Sequence, residues 1–423
     1  MGLKSGVFVL LCMHLFLRLN AQEIEWVVYT TSNSDLPHNS ISLEILVDKD
    51  NQKWIPTWGG GVVRISESQW TIYDTTYFQA TLNEMGSNIE YDEYRQLYWI
   101  PTWGGGIAQF DEQNWTILNT QNSGLQNDYI GHLRLDNNNN AWFYSDGLGY
   151  YKVETDEWFH YNWSNGDIPQ NQIRDIFVDN IGRVWVAFSA RGLLIIDNDD
   201  WTFMDTTNSD IPDRYLRRII QDNEDETMWI ASSSSGLFNF DGENWEVWNT
   251  QNSDIPEDLL FSLKQVYNGD IWVGTWNEGI GVFDGENWTL YNASNSPLPS
   301  NFIRAVAQDH HGDIWIGTDN GVAVIKGLYD PIPQEDPEPE PKPEKDILVY
   351  PNPTQNELFI EFPDSTWLNS KLHIYNMQGQ LIHQKNTSTL EPILFLGAYS
   401  GGVYSIEFRK PDGMLVRRKV VVQ

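Results

Sequence analysis

Two interleaved series of tryptophans constrain this chain more than any other feature. The first falls at 54, 99, 142, 185, 229, 272 and 315, and the second at 26, 70, 115, 158, 201, 245 and 288. Each has seven members with a period near 44. The first series sits in a recurring phrase whose clearest copy, Asp270–Gly281, reads D-I-W-V-G-T-W-N-E-G-I-G. Each copy sets an apolar strand carrying Trp before a Gly-rich turn and a second short apolar strand.

The first full unit shows the pattern. Ile41–Val47 alternates and ends in a turn at Asp48–Gln52; Lys53–Pro56, Val62–Ile65 and Gln69–Tyr73 follow as short strands. Short strands, Gly/Asn/Asp-rich links and this period predict a four-stranded antiparallel meander repeated radially, a β-propeller. Helical periodicity is absent. The hairpin turns Asp241–Trp245 and Asp284–Trp288 are near duplicates, with Asp-Gly supplying the positive φ of tight turns. The links Asn33–Pro37, Asn208–Pro212 and Asn252–Pro256 also repeat, with Asn and Ser expected to bond their own backbone. Unit two lacks such a link, and Asp74–Asn88 is expected to be a different loop.

The seventh unit has three strands, at Phe302–Ala307, Asp313–Gly317 and Val322–Ile325, and no fourth. The missing one stands at the other end of the chain, at Glu25–Tyr29, with Trp26 and Tyr29 in register with the second series. That strand is expected to close the ring and remove an open sheet edge. The fold class expected is therefore all-β: a seven-bladed propeller closed by an N-terminal strand, with a small antiparallel β-sandwich after it.

The domain boundaries follow. Residues 1–21, with an apolar Gly6–Leu17 and a small residue at Ala21, are expected to be a secretory signal peptide. The only cysteine, Cys12, lies inside it, so the processed chain would have no thiol. Residues 22–327 form the propeller, and 328–345, rich in Pro and Glu, are expected to be an extended linker that does not pack. Residues 346–423 alternate again in strands such as Glu357–Phe362, Lys371–Tyr375, Val403–Phe408 and Arg418–Val422.

Charge narrows the partners. Residues 22–327 carry 15 Lys and Arg against 46 Asp and Glu, while residues 346–423 carry seven of each. A surface this acidic repels nucleic acid and anionic lipid. No stretch is apolar enough to span a bilayer, and a monomer is expected.

The repeat resembles the two-component-regulator type of propeller repeat, on the residues Ile303–Val322 and Val266–Ile280. That resemblance implies the propeller fold, which in the family often forms the outside sensor region of hybrid kinases. Residues 346–423 resemble the type A sorting domain of the type IX secretion system of Bacteroidetes. The matching runs are Tyr350–Pro353, Leu358–Glu361, Ile374–Gln380, Gly401–Ile406 and Lys419–Val422. This implies passage through the outer membrane, with the domain then removed and the protein attached to the surface or released.

Candidate site residues come from asking which aromatics the fold does not need. Both ring series are expected to be core. Trp58, Trp103 and Trp276 each follow a Thr directly after the second strand, where other blades carry Asp146, Ala190, Ser234 or Ser235, and Asp319. That loop and the inter-blade link share one face of the disc, so these three Trp should form an arc there, with Asn277 beside Trp276 and Asp319 between them. Indole faces next to carboxylates and amides suit a sugar. The function expected is a secreted or surface-displayed binding propeller, its ligand a glycan or glycopeptide. The alternatives are an extracellular polysaccharide lyase or hydrolase, or a structural or adhesive surface protein. No catalytic residue, metal site or cofactor is expected: His38, His132, His160, His310 and His311 have no metal-ligand spacing.

Overall fold

The computed structural model describes residues 24–67, 69–78, 88–169 and 172–332. In the C-terminal part it describes 348–350, 357–362, 367, 370–376, 380–386, 393–395, 401–409 and 415–422. The expected signal peptide, most of the expected linker and residues 79–87 of the unit-two loop lie outside the described residues. So do the sorting-motif residues Pro351–Pro353 and Met377–Gly379. The chain divides into two units, Met1–Pro333 and Gln334–Gln423.

The first unit is a seven-bladed propeller. Six four-stranded antiparallel sheets follow one another in chain order, each a meander, from Leu46–Tyr73 in blade 1 to Leu260–Tyr291 in blade 6. Blade 7 takes Ile303–Gln308, Ile314–Thr318 and Gly321–Lys326 from the end of the unit and Glu25–Tyr29 from its start. The closing strand runs antiparallel, with Glu25 opposite Lys326 and Tyr29 opposite Val322. Pairing there satisfies the backbone groups that a three-stranded blade would leave open.

The tryptophans explain why the blades stack. All seven of the first series are buried and all seven of the second are half-buried. Members of the first series sit in the clusters between adjacent sheets; Trp54, for example, belongs to the core between blades 1 and 2. Truncating one to Ala would cost about 3–5 kcal/mol. A buried indole also carries an N–H that needs an acceptor. The Asp ending the innermost strand supplies it in four blades: Trp54 Nε1 donates to Asp48 at 2.9 Å, Trp185 to Asp179 at 2.9 Å, Trp229 to Asp222 at 2.8 Å and Trp315 to Asp309 at 3.1 Å. Blade 6 has Val266 at that place.

That substitution corrects one expectation. The chain was expected to leave the propeller unpacked from 328 onward. Instead Leu328 and Tyr329 pack on the core between blades 6 and 7. The Tyr329 hydroxyl accepts from Trp272 Nε1 at 3.0 Å and donates to Asp270 at 2.6 Å, so the exit segment satisfies the indole that Val266 cannot. Composition marked the Pro/Glu run but not this tether just ahead of it.

The links between blades bond their own backbone. Asn252 accepts from the Asn249 amide at 2.8 Å and donates to the Val247 carbonyl at 2.8 Å, while Ser253 donates to the Asn249 carbonyl at 3.0 Å. Asn33 and Ser34 repeat the pattern.

The second unit is a sandwich of two antiparallel sheets. One pairs Glu357–Glu361 with Leu348–Tyr350 and Ile393–Phe395; the other orders Leu381–Asn386, Lys371–Asn376, Gly402–Arg409 and Leu415–Val422. Leu358, Ile360, Phe362, Trp367, Ile406 and Phe408 are among its core.

Candidate functional site

The turn after the second strand is built by a threonine. Thr57, Thr102 and Thr275 Oγ1 donate to the carbonyls of Gly61, Gly106 and Gly279 at 2.8, 2.9 and 2.8 Å. The third strand must begin close against the fourth. Gly61 lies at φ +82, and a Cβ there would meet the Tyr73 carbonyl at 2.1 Å, so only glycine fits. With Thr turned inward to close the loop, the next side chain is turned out. Trp58, Trp103 and Trp276 are 39%, 36% and 45% exposed accordingly.

Two of the three are brought together. The Trp276 ring lies 4.2 Å from Phe302 and 5.4 Å from Phe261, centroid to centroid, and Phe261 and Phe302 meet edge to face at 4.6 Å. The Arg304 guanidinium lies over Phe302 at 4.7 Å and over Trp58 at 5.1 Å. Trp58, Arg304, Phe302, Trp276 and Phe261 thus form one aromatic ridge across blades 1, 7 and 6. Among the described residues no ring contact joins Trp103 to it; the backbone of Trp103 bridges Tyr129 instead. Asp319 is exposed, and its charge acts on Arg304. Asn277 is held by Glu257: its backbone N–H donates to the carboxylate at 2.9 Å and its side-chain amide donates to it at 2.8 Å.

Sequence reading missed Phe261, Phe302, Arg304 and their neighbours Arg217 and Arg174. What four of these residues share is a position that only the strand pairing reveals. In blades 4 to 7 the ladder between the first two strands skips one residue, between Ile173 and Asp175, Leu216 and Arg218, Leu260 and Ser262, and Ile303 and Ala305. The skipped residues are Arg174, Arg217, Phe261 and Arg304. A bulge at the rim of a sheet re-aims a side chain, here toward the mouth of the central channel. Arg217 lies over Phe261 at 3.7 Å.

Below this mouth, the innermost strands of all seven blades enclose a cavity of about 320 Å³. Glu44, Glu90, Arg134, Asp175, Arg218 and Lys264 are among its lining residues. Arg134 pairs with Glu44 at 2.7 Å and also with Glu90. Asp175 Oδ1 lies 3.0 Å from His132 Nε2 and 3.4 Å from Arg218. These groups touch channel space yet are enclosed by the ring. Burial pushes the Asp175 carboxyl up, but Arg218 and His132 outweigh it and hold it at about 2. Burial likewise raises Glu44, and Arg134 brings it below its ordinary value. For Glu90 burial prevails and the shift is upward. Burial lowers His132, against the pull of Asp175. Among the described residues no group of three or more His, Cys, Asp or Glu is arranged to hold a metal ion.

The comparisons fit this architecture. The family model for the secretion system C-terminal sorting domain matches residues 348–423, and that for the two component regulator propeller matches residues 297–320. No curated protein matches the chain significantly. Among solved structures, one similar chain is the PorZ component of the type-IX secretion system of Porphyromonas gingivalis. It has 16% identity and a TM-score of 0.55, with 91% of this chain and 59% of that one covered. Another is the extracellular domain of the hybrid two component system BT3049 from B. thetaiotaomicron, at 18% identity and a TM-score of 0.61, covering 94% and 57%. A third is streptogramin B lyase, at 11% identity and a TM-score of 0.57, covering 72% and 97%. The chain spans less than two thirds of the length of the first two. At these identities the likeness is one of fold.

No helix among the described residues is long and apolar enough to cross a membrane. The chain carries a type IX secretion C-terminal sorting domain, which implies export to the cell surface or beyond, behind a seven-bladed propeller that contains a two component regulator propeller repeat at residues 297–320.

Proposed function

We propose that the exported propeller is a binding protein whose ligand is a glycan or glycopeptide, seated on the face that carries Trp58, Trp103 and Trp276. One observation carries the reading. Three indoles that the fold does not require stand exposed, in positions where other blades carry Asp, Ala or Ser. Exposed tryptophan is costly unless something covers it, and the C–H face of a pyranose is a fitting cover. Asp319 and Asn277 beside the ridge supply hydrogen-bonding groups for hydroxyls. The test is a glycan array probed with the propeller and with a Trp58→Ala/Trp103→Ala/Trp276→Ala variant. Retention of specific glycans by the first and not the second supports the reading; equal retention sinks it.

The C-terminal unit is the part read by the secretion machinery, and cleavage in the Pro/Glu segment would release it. Because Tyr329 packs on the propeller core, the informative truncation ends after Pro333 rather than at the expected boundary of residue 327. That truncated chain should fold and stay in the periplasm, whereas the full chain should reach the surface or medium without residues 346–423. Fractionation with mass spectrometry decides this; equal export of the truncated chain would refute the role of the tag.

A further inference from the structure

The three arginines at the rim bulges stand in an unusual environment for so acidic a protein. Carboxylates outnumber cations about threefold over residues 22–327. Yet among the described residues no ion pair involves Arg174, Arg217 or Arg304. Two of them lie against aromatic rings: Arg217 over Phe261 at 3.7 Å, and Arg304 over Phe302 and Trp58. Stacking uses the face of a guanidinium and leaves its N–H donors, which lie in the plane, to point elsewhere. The Arg304 Nε is buried and has no hydrogen-bond partner. A buried donor without an acceptor costs stability unless something completes it.

The cations also crowd one another. Burial lowers Arg217, and the fields of Arg218, Arg174 and Arg304 lower it further, to about 9. Burial lowers Arg304 too, against the pull of Asp319. The ring gathers like charges at one place and sets no carboxylate in direct ion pairing with them. Solubility does not require this, and the channel arginines just below are treated in the opposite way.

We infer that the rim arginines Arg174, Arg217 and Arg304 form an anion-binding subsite, and that the glycan taken by this face is acidic, bearing carboxylate or sulfate groups. This rests on the reading that Trp58 and Trp276 stack on sugar rings. A planar carboxylate or a sulfate meets the forked donors of arginine in bidentate fashion. The adjoining indoles take the apolar face of the same sugar. The three arginines are spread over blades 4, 5 and 7, so an oligosaccharide fits them better than a monosaccharide. The acidic remainder of the surface disfavours long polyanions such as nucleic acid, which selects for a short chain held at the mouth.

The full-length chain would be titrated by calorimetry with oligogalacturonides, chondroitin sulfate oligosaccharides, neutral dextran oligosaccharides of matched length, and a poly-glutamate peptide. The first two arms separate carboxylate from sulfate. The expected result is binding of at least one acidic sugar about tenfold or more tighter than dextran, weakening with salt. Arg174→Gln/Arg217→Gln/Arg304→Gln should lose about 100-fold in affinity for that sugar. Lys at the same positions, which keeps charge but not the fork, should recover only part of it. Unchanged thermal melting of both variants establishes that they fold. Dextran bound as tightly as the acidic sugars, with loss only in the Trp variant, would overturn the anionic subsite while leaving glycan binding intact. Poly-glutamate bound as tightly as the acidic sugars, or no sugar bound at all, would overturn both readings.

Discussion

The channel and its mouth hold arginines within a residue of each other, and treat them oppositely. Arg218, inside, is 3.4 Å from Asp175, and Arg134 lies between Glu44 and Glu90. Arg217, the next residue outward, has Phe261 under it. In a strand, successive side chains alternate sides, and a bulge at 217 breaks that alternation at the rim. The inner set completes its charge pairs within the protein and so serves the fold. In the outer set Arg217 and Arg304 lie on ring faces and Arg304 Nε has no partner, which is the basis for proposing that this set serves a ligand. The same residue type one position apart has two roles because the register decides which way it points.

The largest effect should come from opening the ring. Deleting residues 22–30 removes the fourth strand of blade 7 and disrupts channel and mouth together. Cooperative thermal unfolding should be lost and aggregation should appear; a melting temperature equal to wild type would mean that ring closure contributes nothing.

Next is Asp175→Ala, which leaves Arg218 and His132 enclosed without their anion. A broken buried pair costs about 3–5 kcal/mol, read by denaturant unfolding. If the loss is under about 1 kcal/mol, the channel network is no more than a solvated surface pair.

A smaller effect should appear with pH. His132 lies below its ordinary value of 6.5 in the folded chain. The unfolded chain therefore takes up that proton first, and stability is full above about 6.5 and falls as the pH drops from there. Asp175, held at about 2 against an ordinary 3.8, contributes stability above 3.8 that is lost as the pH falls toward 2. Melting temperature should thus decline in two stages on acidification. His132→Asn should flatten the upper stage and leave the lower one; an unaltered upper stage would remove His132 from the account.

The smallest effect on stability belongs to Arg217→Gln. Removing a half-buried cation that its neighbours repel should leave unfolding within about 0.5 kcal/mol of wild type. A loss comparable to that of Asp175→Ala would place Arg217 with the structural arginines and erase the contrast.

Much of this was legible before any coordinates. The two Trp series imply seven blades because each position must bury one indole against its neighbour. The missing fourth strand of unit seven implies Glu25–Tyr29 as its replacement. Trp58, Trp103 and Trp276 stood out because other blades do without them. The arginines did not stand out, because a net charge over 306 residues hides three cations at one rim. Tyr329 was hidden for a related reason. Its partner Trp272 lies 57 residues away, and the vacancy it fills is visible only when Val266 is compared with the Asp of other blades.

The repeat alone determined the architecture: periodic burial, turn chemistry and strand alternation are local properties written into each 44-residue unit. The tertiary structure alone decided which charges are paired. Pairing depends on distances across the axis between blades far apart in sequence, and on bulges that turn one residue outward while its neighbour stays within. A one-residue break in alternation is invisible in a string of letters, yet it separates Arg217 from Arg218, a ligand's arginine from the fold's own.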